Sequence, residues 1–310
     1  SAIGNVSDEV IRQMDERYID QPMLRKRLPL ASIKLNSGSE NVVARMLKRY
    51  SIGCGSLAMD MTSSPTSGLN GYMRANAMTV SDILVDTASL VIFSDSSNVS
   101  YRMQVHNNKD NPDYIFNAIV EGTLTEKGTT IKSRLYDWKD RLGLATDMSA
   151  AMEDNGVKVT FIGDGPVLGY KKFAVNKDNY LFLSEDKRVS ANLKLRASDG
   201  TGLQVYTNDE NADALQDITL SVNKLDLDDI FAILPFTPNR TGILDGDFHA
   251  IQTPDELTVS SSLTVSNMIY EGCKMGDVGT EFTYMPLSNG THSVDGIMIH
   301  NGQEIGTLSG

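Results

Sequence analysis

Three groups of residues have types and spacings that could do chemistry. Asp245-Gly246-Asp247 sets two carboxylates two positions apart, the pair that glycoside hydrolysis uses as acid and as nucleophile or base. Asp beside Gly in a strand is commonly an outward, turn-side residue, so no catalytic pair is expected there. Asp226, Asp228 and Asp229 resemble calcium ligands, but no Asp-x-Asp-x-Asn-Gly loop with a distal Glu follows, and they read as helix-start charges. His106, His249, His292 and His300 lack ligand spacing such as two His four apart on a helix. No Gly-x-Ser-x-Gly elbow is present, and Gly163-Asp164-Gly165 lacks the further glycines and the helix of a phosphate loop. The lone tryptophan, Trp138, is expected to pack inside rather than to form a sugar platform. The expectation is a protein that is not an enzyme and carries no metal and no cofactor.

Bulk properties narrow the partners. A net charge of -12 argues against nucleic acid, which is bound through clustered Lys and Arg. The one basic cluster, Leu24-Arg25-Lys26-Arg27, is expected to be a solvated helix end. Cys54 and Cys273 are too few for a disulfide framework or a Cys-based zinc site. No run of about 20 apolar residues and no signal-peptide pattern occurs. A chain that starts at Ser1 and stops within the alternating run ending at Gly310 is expected to be a piece of a longer protein.

The elements that would position these residues are mostly strands. Asp217-Ile218-Thr219-Leu220-Ser221-Val222-Asn223 alternates strictly, and so does Leu257-Val259-Ser261-Leu263-Val265. Val99 to Val105, Phe116 to Leu124, Ile131 to Leu135, Val157 to Phe161 and Val189 to Leu195 alternate likewise, with turn signals about every 8 to 12 residues. Helices are expected at Ser7 to Tyr18, with Ser7 as cap and Val10, Ile11, Met14 and Tyr18 on one face, and at Asn41 to Tyr50. A third is expected at Leu225 to Leu234, capped by Asp226 and closed by Pro235. The order of short helix and glycine-bearing strand recurs: Asn41 to Tyr50 precedes Ser67-Gly68-Leu69-Asn70-Gly71, and Leu225 to Leu234 precedes Thr241-Gly242-Ile243-Leu244-Asp245-Gly246. The chain divides into helical segments leading into the first β repeat at 1–50, a β-rich repeat region at 51–150 and a further β-rich region at 151–310. In a sandwich the apolar faces would meet and seal a core, and in a long curled sheet they would line a trough; a period of 2 serves both.

The succession Leu220 to Asn223, Leu225-Asp226-Leu227-Asp228-Asp229-Ile230 to Leu234-Pro235-Phe236, Thr241-Gly242 to Leu244-Asp245-Gly246-Asp247, and Leu263-Thr264-Val265-Ser266-Asn267-Met268-Ile269-Tyr270-Glu271-Gly272 resembles the carboxy-terminal half of the TamB family. These are large AsmA-like translocation and assembly proteins, and the likeness is to their Bacteroidota relatives over about residues 150 to 310. The resemblance implies an elongated antiparallel β-sheet curled into a taco-like trough with an apolar inner face. It implies a periplasmic location, an inner-membrane anchor outside this sequence, and support of outer-membrane assembly by carrying phospholipid acyl chains. An outer-membrane insertase-type barrel protein would be the partner, through segments outside this sequence. The groove lining would then be Val157, Val159, Phe161, Leu193, Leu195, Ile218, Leu220, Val222, Phe248, Ala250, Leu257, Val259, Leu263, Val265, Met268, Tyr270, Phe282 and Tyr284. Val259, Leu263 and Val265 would point inward, with Thr258, Ser260 and Thr264 toward water. The other reading is a β-rich binding or scaffold module whose apolar face is a sealed core.

Overall fold

The computed structural model describes residues 2–15, 20–40, 42–80, 83–95, 97–112, 114–153, 155–208, 214–233, 240–287 and 289–310. The described residues are mostly β, in antiparallel strands with a few short helices, as the alternation predicts. They form two compact units, Ser1–Asp154 and Asn155–Gly310. The first takes in both segments expected at 1–50 and 51–150.

The first unit holds α1 (Ala2–Asp15), α2 (Gln21–Lys26), β1 (Ala31–Gly38), α3 (Val42–Lys48), β2 (Ile52–Ser64), β3 (Gly68–Val80), β4 (Ile83–Ser94), β5 (Val99–Asn107), β6 (Phe116–Thr125), β7 (Gly128–Tyr136) and β8 (Leu142–Glu153). The strands pair antiparallel in sequence order from β1 to β8. Short side chains that hydrogen-bond their own backbone make the turns: Asp95 Oδ1 accepts from the amides of Ser97 and Asn98, and Asp137 Oδ1 from those of Lys139 and Arg141. Partners directly opposite share a face, so Leu90, Met103 and Val120 form one apolar row and Ile92 and Tyr101 a second. The opposite face carries ion pairs, Arg102 to Glu121 at 2.6 Å and Lys34 to Asp60 at 3.2 Å.

The helices depart from expectation. α1 begins at Ala2, so Ser7 is inside it rather than at its cap, and Tyr18 lies outside the described residues. The face is inverted as well: Glu9 is 2% exposed and Gln13 is buried, while Val10 and Ile11 are exposed. A buried carboxylate stays inside only when paired, and Glu9 is paired: it takes hydrogen bonds from Arg12 and from Gln13 Nε2 at 2.9 Å, and Arg27 stands 3.0 Å away. These contacts also correct the basic cluster, which is more than a solvated end. Arg27 joins α2 to Glu9, and Arg25 donates to the carbonyl oxygens of Thr66, at 2.6 Å, and Asp95. Trp138 is not packed inside; it is 59% exposed in the β7–β8 turn, with Lys139 Nζ 4.4 Å from its ring centre.

The second unit holds β9 (Gly156–Phe161), β10 (Val167–Leu168), β11 (Lys171–Val175), β12 (Tyr180–Ser184), β13 (Val189–Ala197), β14 (Gly202–Thr207), β15 (Gln216–Asp226), α4 (Leu227–Phe231), β16 (Arg240–Gln252), β17 (Leu257–Tyr270), β18 (Cys273–Pro286), β19 (His292–His300) and β20 (Gln303–Ser309). From β13 onward the strands pair antiparallel in sequence order. On the other edge of β13, β11 and β12 lie end to end, and β9 pairs with β12. α4 is shorter than expected because Leu225 belongs to β15; Asp226 caps it, accepting from Asp228 N at 3.0 Å. Leu234, Pro235 and Phe236 lie outside the described residues.

The repeated order of helix and strand is not repeated in detail, since β2 separates α3 from β3. What the two places share is glycine geometry. Gly71 and Gly246 have φ of 144° and 154°, and a Cβ on either would stand 2.1 or 2.3 Å from the carbonyl oxygen of Asp60 or Ser262 on the neighbouring strand.

Few apolar side chains are fully buried among the described residues. The chain exposes 18468 Å² of surface, whereas two compact domains of half its mass would together expose roughly 15,000 Å². Among the described residues, buried apolar side chains cluster at Phe173, Leu193, Leu195 and Ala197, with Phe161, Leu168, Val175, Leu181, Leu203 and Val205 packed against them.

Candidate functional site

The register of the second unit assembles transverse rows of apolar side chains. One row runs Leu193, Val205, Leu220, Phe248, Ser261, Phe282 from β13 to β18, each directly opposite the next. A second runs Leu195, Leu203, Val222, Gly246, Leu263, Thr280, and a third Ile218, Ala250, Val259, Tyr284. Val157 and Val159 stand opposite Leu183 and Leu181, Phe161 packs on the buried cluster, Val265 pairs with Leu244 and Val278, and Leu257 continues the β17 series. These residues share one face. At about 4.8 Å per strand, five steps from β13 to β18 make a row roughly 24 Å long.

Two of the expected lining residues stand at irregularities, and one of them, Met268, reaches that face. Between Val265 and Met268 the register shifts by one, at Asn267 with φ of 52°, and this switches the parity so that Met268 opposite Gly276 continues the series. A second shift follows at once, and Tyr270 stands beyond it opposite Cys273, exposed at the turn.

Burial divides the face into two parts. Around Phe173, which is 1% exposed, it is sealed. Pro166 is buried beside this cluster, and Gly169 lies so close to α4 that a Cβ would stand 3.1 Å from Ile230 Cδ1. Lys171 ties this cover down, 3.1 Å from both Asp199 and Asp229. Burial pulls the Lys171 pKa down, but its bonds to the two carboxylates outweigh that and raise it. Thr201, through its amide and hydroxyl, and then Lys171 hold the Asp199 carboxyl at about 2. From β15 to β18 the same face is half-buried, including Leu220, Phe248, Val259, Leu263 and Phe282. Thr264 is exposed, whereas Thr258 and Ser260 are half-buried like Val259. Ser261, between the two phenylalanines of its row, is buried with no hydrogen-bond partner for its hydroxyl among the described residues.

The opposite face is polar, and sequence reasoning missed what it gathers. Asp217 and His249 are 32 positions apart, but β15–β16 pairing puts His249 Nε2 2.7 Å from the buried Asp217 Oδ1. Their odd numbering in adjacent alternating strands was the available signal. Asp245 and Asp247 lie on this face too, mid-strand rather than at a turn: Asp245 accepts from the Lys224 amide at 2.8 Å and Asp247 bonds Ser221 Oγ. A shallow recess of about 780 Å³ opens here, lined by Asp247, His249, Ser260, Ser262, Glu281 and their neighbours. A twisted sheet is saddle-shaped, so a recess on one face leaves the other free to be concave along the crossing direction.

No protein-family model, curated protein or solved structure matches the chain.

Proposed function

We propose that this chain is a non-enzymatic segment of a TamB-like, AsmA-like envelope protein that supports outer-membrane assembly by conducting phospholipid along the apolar face. The observation that carries this reading is the set of in-register apolar rows from β13 to β18, half-exposed beyond the sealed Phe173 cluster. An acyl chain crossing water must be shielded at roughly 0.8 kcal/mol per CH₂, and an apolar surface shields it without chemistry. A row of roughly 24 Å also exceeds the ~15 Å that one leaflet's acyl layer occupies. On this reading the protein works in the periplasm. Its insertase-type barrel partner is met through segments beyond these residues.

The test is charge placed on the face. Phe248→Asp and Val265→Asp, introduced into the full-length protein, are expected to impair outer-membrane integrity at normal protein levels, because an ionised group there holds water in the lipid's path. Thr264→Asp adds the same charge at an exposed position and is expected to do little. A folded, normally abundant double variant that supports membrane integrity like the parent would rule out conduction through this segment. The sealed Phe173 cluster would then favour the scaffold reading.

A further inference from the structure

We propose that the α1–α2 pair is a clamp that holds the end of a single lipid acyl chain against the apolar face of the first unit. This rests on the lipid-conducting reading and adds a specific holding site to it. A partly open cavity of about 170 Å³ lies between the helices and the sheet, lined by Val10, Leu24, Arg25 and Leu28 from above and by Leu69, Val99 and Leu124 from below. For comparison, an engineered apolar cavity of about 150 Å³ stays dry and takes up benzene.

Three observations make this space a site rather than a packing defect. First, the helices are fastened by polar bonds. Arg25 reaches the carbonyl oxygens of Thr66 and Asp95 in the β2–β3 and β4–β5 turns, and Arg27 binds Glu9 of α1. The apolar side chains above the cavity are therefore not what holds the helices down, and Val10 is left 40% exposed. Second, the floor is fixed. Ser94 Oγ donates to Leu69 O at 2.7 Å and accepts from Leu69 N at 3.1 Å, and a Cβ on Gly68 would stand 2.5 Å from Ser94 Cβ. Third, the floor is continuous with the apolar face, because Val99 stands opposite Leu124 on the side that carries Tyr101 and Met103. Ser94 Oγ and the Asp95 carbonyl at the cavity already have partners, so an aliphatic tail leaves neither unsatisfied. Arg25 Nε, also at the cavity wall, is buried without a hydrogen-bond partner among the described residues.

The test uses the 310-residue chain and palmitic acid carrying a mid-chain diazirine, with photo-adducts mapped by peptide mass spectrometry. In the unmodified chain, adducts are expected on α2 and at Leu69, Val99 and Leu124. Leu124→Trp fills the cavity and is expected to lower the α2 adducts about tenfold, a change worth ~1.4 kcal/mol in affinity, while adducts in the second unit persist. Arg25→Gln, which frees the clamp without filling the cavity, is expected to lower them as well. Adducts on the apolar faces of both units with none on α2 would overturn the clamp and leave the conducting reading standing. Adducts nowhere would overturn both. Adducts on α2 that Leu124→Trp and Arg25→Gln both leave unchanged would place the chain elsewhere and overturn the clamp.

Discussion

Phe248 and Phe282 meet edge to face across an intervening strand, their ring centres 6.4 Å apart at 70°. Both stand beside Ser261 of β17. The contact joins β16 to β18 over the top of β17.

This pair should couple modestly. Aromatic pairs contribute about 0.5–1.5 kcal/mol beyond burial, so the double-mutant cycle of Phe248→Ala and Phe282→Ala is expected to return a coupling in that range. Phe173→Ala, in the sealed cluster, is expected to cost about 3–5 kcal/mol by itself. Urea unfolding gives both numbers. A Phe248→Ala loss as large as that of Phe173→Ala would mean the face is closed around Phe248.

Ser261 offers the opposite sign. Its buried hydroxyl lacks a partner among the described residues, and leaving such a group unsatisfied costs about 1–3 kcal/mol. Ser261→Ala is expected to raise the unfolding midpoint by the equivalent of about 1 kcal/mol. A destabilising Ser261→Ala would show that the hydroxyl is satisfied in solution.

Period-2 alternation made the strands legible, and with them the face to which Leu220, Val259 and Leu263 belong. Register was less legible, because it depends on residues that break alternation. Lys224 and Asn267 adopt φ of 50° and 52° where β15 and β17 shift register; Asn tolerates that conformation, but nothing in the Lys224 side chain announces a bulge. The α1 helix misled for a different reason. Its apolar period predicts Val10 and Ile11 inside, but the partners that draw Glu9 and Gln13 inward, Arg27 and the backbone of Asp20, come from beyond that helix. The Asp217–His249 pair was hard to see for a related cause: both are odd-numbered in alternating strands, but only strand pairing brings them together.

Gly246 tests the backbone geometry directly. Its φ of 154° and the 2.3 Å approach of Ser262 O leave no room for a side chain. Gly246→Ala is expected to cost about 2–4 kcal/mol from strain and overpacking together. Gly272→Ala, with φ of 79° but open space around the Cβ, is expected to cost about 1–2 kcal/mol. Equal losses at the two sites in thermal or urea unfolding would mean that the strand spacing at Gly246 relaxes.

Glu9 makes the attachment of the helical pair depend on pH. Hydrogen bonds from Arg12 and Gln13, with the charges of Arg12 and Arg27, hold its pKa at about 2 against an ordinary 4.5. A carboxyl depressed on folding contributes stability that is fully present above its unfolded value and lost as pH falls through its folded one. The contribution is therefore whole at pH 5 and above and drains away between about 4.5 and 2. Hydrogen exchange of the α2 amides, corrected for intrinsic rates, is expected to show unchanged protection from pH 7 to 5 and a fall below 4.5, while β13 amides stay protected. Asp20 also caps α2, accepting from Met23 N at 2.8 Å, a second carboxylate contact that holds the helix independently of Glu9. The Glu9→Gln variant separates the two, because it keeps Asp20 and removes the titrating group. It is expected to show weak α2 protection already at pH 7 and a smaller change on acidification. If Glu9→Gln instead matches the parent at every pH, the carboxylate does not fasten α1 to α2, and the bonds of Arg25 to the β2–β3 and β4–β5 turns hold the helices alone.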